Sequence, residues 1–184
     1  IIDWQGMSDL KLSGSNWKGP KPEFRNMHWV EISLAEMMAN RENKLAAIER
    51  VDGKVYLDIK EANVATGTWK PQMNKWLGSN QPIVHAGKAY AQGISVLPPS
   101  ELNFFLGGKF ERLHAEALST HAATVEFKVY VDRELVYDSG LVNGVGSQLI
   151  DLPLTGATEL QLIATDGGDG IHGDIVAWAD LWIQ

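Results

Sequence analysis

The sequence predicts an all-β protein, an antiparallel β-sandwich preceded by a helical extension. Three observations carry this reading. Thr124–Val131 alternates apolar and polar residues without a break, which places Val125, Phe127, Val129 and Val131 on one face. Short runs of similar character recur at intervals of roughly ten residues from Lys54 onward, parted by Gly, Pro, Asp and Asn. No helical period interrupts them, which argues against an α/β enzyme fold.

Residues 1–53 differ in character. Gly14, Gly19, Pro20 and Pro22 read as loop. Ser33-Leu-Ala-Glu36 forms a capping box, in which the Ser side chain accepts from the third helical N–H and the Glu reaches back. Leu34, Met37, Met38, Leu45 and Ile48 then recur at helical spacing, with Glu36, Arg41, Glu42, Lys44 and Arg50 on other faces. A helix over about 33–50 follows, stopped by Gly53, its methionines reading as part of a buried stripe. The seam at Val51-Asp-Gly-Lys54 divides the chain into an extension, 1–53, and a sandwich, 54–184.

Strands are expected in order at Val55–Ile59, Ile83–Ala91 (a hairpin about Gly87), Glu101–Leu106, Lys109–Ala117 and Thr124–Val131. Glu134–Asp138 pairs with the last of these across a tight turn, and Gln148–Leu152, Glu159–Thr165 and Ile175–Ile183 complete the set. The chain has neither internal repeat nor low-complexity tract.

Composition narrows the function. The 184 residues fit one domain, or one with an appendage, and an apolar share of 45% is enough for a real core. A net charge of −7 without any Lys/Arg cluster argues against nucleic acid as a partner. The longest apolar run falls far below the roughly 18 residues of a membrane span. The absence of cysteine excludes disulfides and thiolate metal sites and leaves the compartment open. The chain begins at Ile1 without a signal-peptide pattern and reads as excised from something longer.

Catalytic signatures are missing. There is no G-x-S-x-G, H-E-x-x-H or Walker sequence, and the five histidines (His28, His85, His114, His121, His172) lack metal-ligand spacing. His114 reads as structural, whereas His121 and His172 fall in expected loops. Seven tryptophans are present, of which Trp69 and Trp76 lie in Gly/Asn/Pro-rich segments suited to a ligand platform.

The richest stretch is Asp166-Gly-Gly-Asp169-Gly-Ile-His-Gly-Asp174, with four glycines and three aspartates in nine residues. Such a loop cannot pack a core. It reads either as a solvated hairpin loop or as a calcium site, because calcium takes several carboxylate and carbonyl oxygens. Asp180 is placed by simple alternation on the face of Val176, Trp178 and Trp182, where a buried carboxylate would need a cation or donors. Asp166, Asp169, Asp174 and Asp180 are therefore the metal candidates.

Several segments, taken together, carry a family resemblance. Asp166-Gly-Gly-Asp-Gly…Gly-Asp174…Trp178-Ala-Asp180 resembles the closing motif of the NPCBM domains, grouped as carbohydrate-binding module family 51. Thr66-Gly-Thr-Trp69-Lys-Pro71…Asn74-Lys75, Ala89-Tyr90-Ala-Gln-Gly93-Ile94, Leu106-Gly-Gly-Lys-Phe110 and Val129-Tyr-Val-Asp…Glu134-Leu-Val-Tyr-Asp-Ser-Gly140 are similar to earlier segments, in the right order. The resemblance covers about residues 54–184. It implies a jelly-roll β-sandwich with structural calcium, a non-catalytic module of secreted bacterial glycoside hydrolases, and galactose-containing glycans as partners. An extracellular, periplasmic or cell-surface location goes with it. Three positions depart from the pattern: Leu97 stands at a histidine, Ser119-Thr-His121-Ala-Ala replaces an acidic loop, and Ile175-Val-Ala177 replaces His-Ala-Asp.

Two functions follow. In the first, Trp69, Asn74, Lys75, Trp76, His121 and His172 bind a sugar, the aromatic faces meeting its C–H groups. In the second, the sugar site is lost and the domain docks a protein or a neighbouring domain, with residues 1–53 as the interface and Leu97 and Ala177 as signs of the loss.

Overall fold

The computed structural model describes residue 45 and residues 47–184. Most of the helix expected at about 33–50, and of the 1–53 extension, lies outside the described residues. Residues 47–50 are described and form turn, bend and irregular backbone, so the helix does not reach 50 as expected. Leu45 is helical and buried, and Ile48 packs beside it on the core.

Two antiparallel sheets form the sandwich. Numbered in chain order, one sheet runs β11 (Gly146–Pro153), β8 (Arg112–Ser119), β13 (Val176–Ile183), β6 (Gly93–Val96), β3 (Gln72–Met73), with β1 (Val55–Tyr56) also paired to β13. The other runs β10 (Glu134–Asn143), β9 (Thr124–Val131), β12 (Glu159–Thr165), β7 (Ser100–Phe105), β2 (Val64–Thr66). A hairpin of β4 (Ile83–His85) and β5 (Lys88–Tyr90) completes the strands among the described residues.

Alternation does what the sequence expects of it in β9, where Val125, Phe127 and Val129 are fully buried between polar neighbours. Leu160, Leu162 and Ala164 of β12 and Leu102 and Phe104 of β7 join them. They meet Ile94 and Val96 of β6, Leu113, Ala115 and Ala117 of β8, and Trp178 of β13. The Trp178 indole meets the Phe127 ring edge-on at 5.3 Å.

The last strand corrects the sequence reading. Asp180 sits in a bulge with φ of 47°, its N–H donating to the Gln92 carbonyl at 2.9 Å, and the register against β8 shifts between Ala179 and Trp182. Val176 and Trp178 face the core, but so do Leu181 and Ile183. Asp180 and Trp182 are thereby turned out of phase with Trp178. Trp182 stacks on His114, ring centroids 4.7 Å apart, on the outer side of the sheet.

That outer side carries a second, smaller core. Ile83 and Tyr90 of the β4–β5 hairpin cover Leu118, Ala177 and Ala179, with Trp76 packed alongside. Gly93 makes the close approach possible, since a Cβ there would lie 3.0 Å from Ile83 Cδ1 and from the Trp178 carbonyl oxygen.

Candidate functional site

Trp69 is 56% exposed, yet it is firmly seated. The Thr68 N–H donates to the Leu97 carbonyl at 3.0 Å and the Thr68 hydroxyl to the Pro98 carbonyl at 2.6 Å, pinning the loop to the turn after β6. The Trp69 ring lies against Gly78, where a Cβ would come within 3.2 Å of Cζ3. Gly78 also has φ of 72°, so two requirements select glycine here. The Gly78 turn is braced in its own right. Gln72 Nε2 donates to the Ser79 carbonyl at 3.0 Å, and Leu77 N–H to the Ser95 hydroxyl, which itself donates to the Val176 carbonyl.

The neighbouring candidates divide by role. Asn74, at φ of 59°, uses its side-chain oxygen to accept from Gly93 N–H at 3.0 Å while its own N–H donates to the Gly93 carbonyl. It ties β3 to β6. Lys75 is exposed and bridges to Pro82 through the backbone. Trp76 is half-buried on the second core, with Nε1 donating to the Val84 carbonyl at 3.4 Å. Trp69, Lys75 and the exposed edge of Trp76 thus lie in one segment, on and beside the loop that carries Gly78.

His121 and His172 are exposed in two loops that touch each other. The Thr120 hydroxyl donates to the Gly173 carbonyl at 3.0 Å, and a Cβ on Gly173 would meet Ala122 Cβ at 2.6 Å. The Leu97 turn that holds Trp69 leads from the end of β6 where Val96 pairs with Val176, so all three loops rim the same end of the sandwich.

The Asp/Gly loop lies at that end too. Asp174 is 1% exposed; its Oδ1 accepts from Thr124 N–H at 2.8 Å, and its Oδ2 is buried without a hydrogen-bond partner. Burial first, then the charges of Asp169 and Asp166, push the Asp174 carboxyl above its ordinary range, against the pull of the Thr124 N–H. Asp166 instead accepts from the Gly168 N–H within its own turn. An orphaned buried carboxylate oxygen under the influence of two further carboxylates is the chemistry a hard cation would complete. No three His, Asp or Glu side chains among the described residues form a ready-made metal cluster, so any such site would draw on loop carbonyls.

Asp180 is not part of this group. It lies in β13 at the bulge, beside the outer face of β8. Its carboxylate is 3.5 Å from His114 Nε2, and Asp151 is 3.6 Å from His114 Nδ1 on the other side. Sequence reading missed the network beside it. Tyr90 donates to Glu116 at 2.6 Å and Lys88 pairs with the same carboxylate. Burial alone would raise the Glu116 carboxyl, but these two hydrogen bonds outweigh it and hold it below the ordinary range. Only period-two register along β8 signals that Glu116 faces outward, and nothing local in the sequence signals its partners.

The departures at Leu97 and Ala177 also acquire a physical account. Both are buried, Ala177 within the second core. Apolar side chains there fill an interior and leave no exposed apolar surface.

A family model described as the NPCBM/NEW2 domain matches residues 53–184. Among solved structures, the chain is similar to the CBM51 of a GH95 from Clostridium perfringens in complex with methyl-galactose. The two are 25% identical with a TM-score of 0.64, over 71% of this chain and 99% of that one. It is also similar to tandem CBM51 modules of Sp3GH98, a family 98 glycoside hydrolase from Streptococcus pneumoniae. There the identity is 17% and the TM-score 0.63, over 87% of this chain and 52% of that one. A third likeness is to CBM51-2 with INT domains from Clostridium perfringens ZmpB, 18% identical with a TM-score of 0.62, over 71% of this chain and 31% of that one. No curated protein matches.

Proposed function

The chain belongs to the NPCBM/NEW2 domain family, and on that premise we propose that it is a non-catalytic carbohydrate-binding module which holds a galactose-type sugar on the loop rim around Trp69. The observation that carries the site is the Trp69 ring, exposed yet braced from behind by Gly78 and two loop hydrogen bonds. A fixed, half-bare indole gives the apolar face of a pyranose something to stack on at little entropic cost. Lys75 and the edge of Trp76 flank it, and His121 and His172 supply polar contacts from the facing loops. Asn74 supports the loop rather than the ligand. The similarity to a module bound to methyl-galactose makes galactose the first sugar to test. A module of this kind serves a larger glycan-processing protein outside the cell. No helix among the described residues is long and apolar enough to cross a membrane.

Calcium is the second element of the reading. Asp174 would hold it, with Asp166, Asp169 and loop carbonyls; Asp180 would not. The ion would rigidify the loop that carries His172. Without a cation, the raised Asp174 pKa means that the folded state binds its proton more tightly than the unfolded chain. Stability then falls as pH rises from the ordinary aspartate range, near about pH 4, through the raised folded value. Calcium favours the carboxylate and should reverse that slope. Calcium at a roughly hundredfold excess over its Kd should raise the melting temperature by about 5–10 °C. Asp174→Asn keeps the acceptor for Thr124 and should abolish both the calcium rise and this component of the pH slope. Thermal melts with calcium and with chelator check this, and an identical midpoint in the two would count against the ion.

The docking alternative finds no support at Leu97 and Ala177, which are interior positions. Most of the interface expected through residues 1–53 lies outside the described residues.

A further inference from the structure

The sheet β10-β9-β12-β7-β2 has an outer face that no strand crosses among the described residues. Its residues follow from the core register: with Phe127, Leu162 and Leu102 inside, Tyr130, Gln161, Ile163, Asn103, Glu101 and Lys128 point out. One row crosses all five strands as Leu135, Tyr130, Gln161, Asn103 and Val64, and the next as Asp138, Lys128, Ile163, Glu101 and Thr66. At the strand spacing each row is about 19 Å long.

Cross-strand pairs order the polar groups of this face. Gln161 Nε2 donates to Glu101 at 2.8 Å, Asn103 pairs with Glu159, and Lys128 is held by Glu126 at 2.9 Å and Asp138 at 3.5 Å. The polar groups are therefore fixed before anything binds. Among the described residues, Gln161 Oε1 and the Tyr130 hydroxyl have no protein partner, so each can still meet a ligand hydroxyl. The Tyr130 ring and the Ile163 side chain supply half-buried apolar surface beside them. An extended peptide would seek unpaired backbone at a sheet edge, whereas here the ladders have used the backbone and only side chains are on offer. Four carboxylates (Glu101, Glu126, Asp138, Glu159) stand against Lys128 and the rim residue Arg133, which disfavours uronate or sulfate groups.

We infer that this sheet face is a second carbohydrate site, one that takes an extended neutral oligosaccharide lying across the strands over Tyr130 and Gln161. It rests on the reading of the chain as a carbohydrate-binding module but on none of the residues of the Trp69 rim.

The test is calorimetric titration of the protein with methyl-galactose, N-acetylglucosamine and the neutral oligomers of each up to five residues, with polygalacturonate as the acidic control. Affinity should climb about tenfold or more from monosaccharide to tetrasaccharide, the worth of an added stacking and hydrogen-bonding subsite. Tyr130→Ala and Gln161→Ala should each remove most of that gain and leave monosaccharide affinity unchanged, with melts showing that both variants stay folded at the titration temperature. Trp69→Ala should remove monosaccharide binding and leave the gain with length. A flat length profile, a gain that survives both sheet-face substitutions, or equal binding of polygalacturonate would overturn the inference. Monosaccharide binding lost in Trp69→Ala alongside a flat profile would leave the rim site standing and remove only this one. Length-dependent binding through Tyr130 with no binding of the monosaccharides would do the opposite.

Discussion

Trp178→Ala should cost the domain about 3–5 kcal/mol, a large fraction of the roughly 5–15 kcal/mol by which domains are stable. The indole is fully buried on β13, the strand that links β8 to β6, and it meets Phe127 from the opposite sheet. Its loss leaves a cavity that the flanking ladders, fixed in register on both sides, cannot close. Trp178→Phe is the informative contrast. The Trp178 Nε1 is buried without a partner, so phenylalanine gives up volume but also discards an unpaired donor. Its cost should stay below about 2 kcal/mol. Urea unfolding of the three proteins checks both values, and equal losses for the two variants would contradict the packing argument.

Trp69→Ala should have the complementary effect. Binding of a galactose-type sugar should weaken at least tenfold, since removal of a central aromatic anchor commonly costs about 2 kcal/mol or more. Stability should change by less than about 1 kcal/mol, because most of the ring already faces water. Gly78→Ala should weaken binding too, through displacement of the ring and strain at positive φ, though less than loss of the ring itself. Titration calorimetry beside thermal melts separates these effects. Weakened binding that merely tracks instability would argue for a structural role of the loop.

How far the sequence alone leads is clearest in particular elements. β9 and β12 are legible because one face is buried and the other is not, so the pleat writes a polar–apolar alternation into the chain. β6 is not legible, because Gly93-Ile-Ser-Val96 is buried on both faces under the β4–β5 hairpin and alternates nothing. Counting in twos places Asp180 on the Trp178 face. A bulge adds one residue to the count, and no local feature of Trp178-Ala-Asp-Leu-Trp182 announces it. The loop aspartates were visible as a group, but that Asp174 alone is buried depends on Thr124, fifty residues away in the chain. Trp69 could be singled out by its glycine-rich surroundings. Asn74, in the same segment, could not be recognised as a brace until its Gly93 partner was in view.

A sugar stacked on Trp69 changes the magnetic environment of that indole, and its N–H resonance reports the contact. Seven tryptophans give seven such signals, assignable by substitution. On titration with methyl-galactose the Trp69 signal should move saturably, with a smaller response from Trp76, while those of the buried Trp178 and Trp182 stay fixed. A saturable shift confined to other tryptophans, or no shift of the Trp69 signal at sugar concentrations that calorimetry finds saturating, would contradict the account.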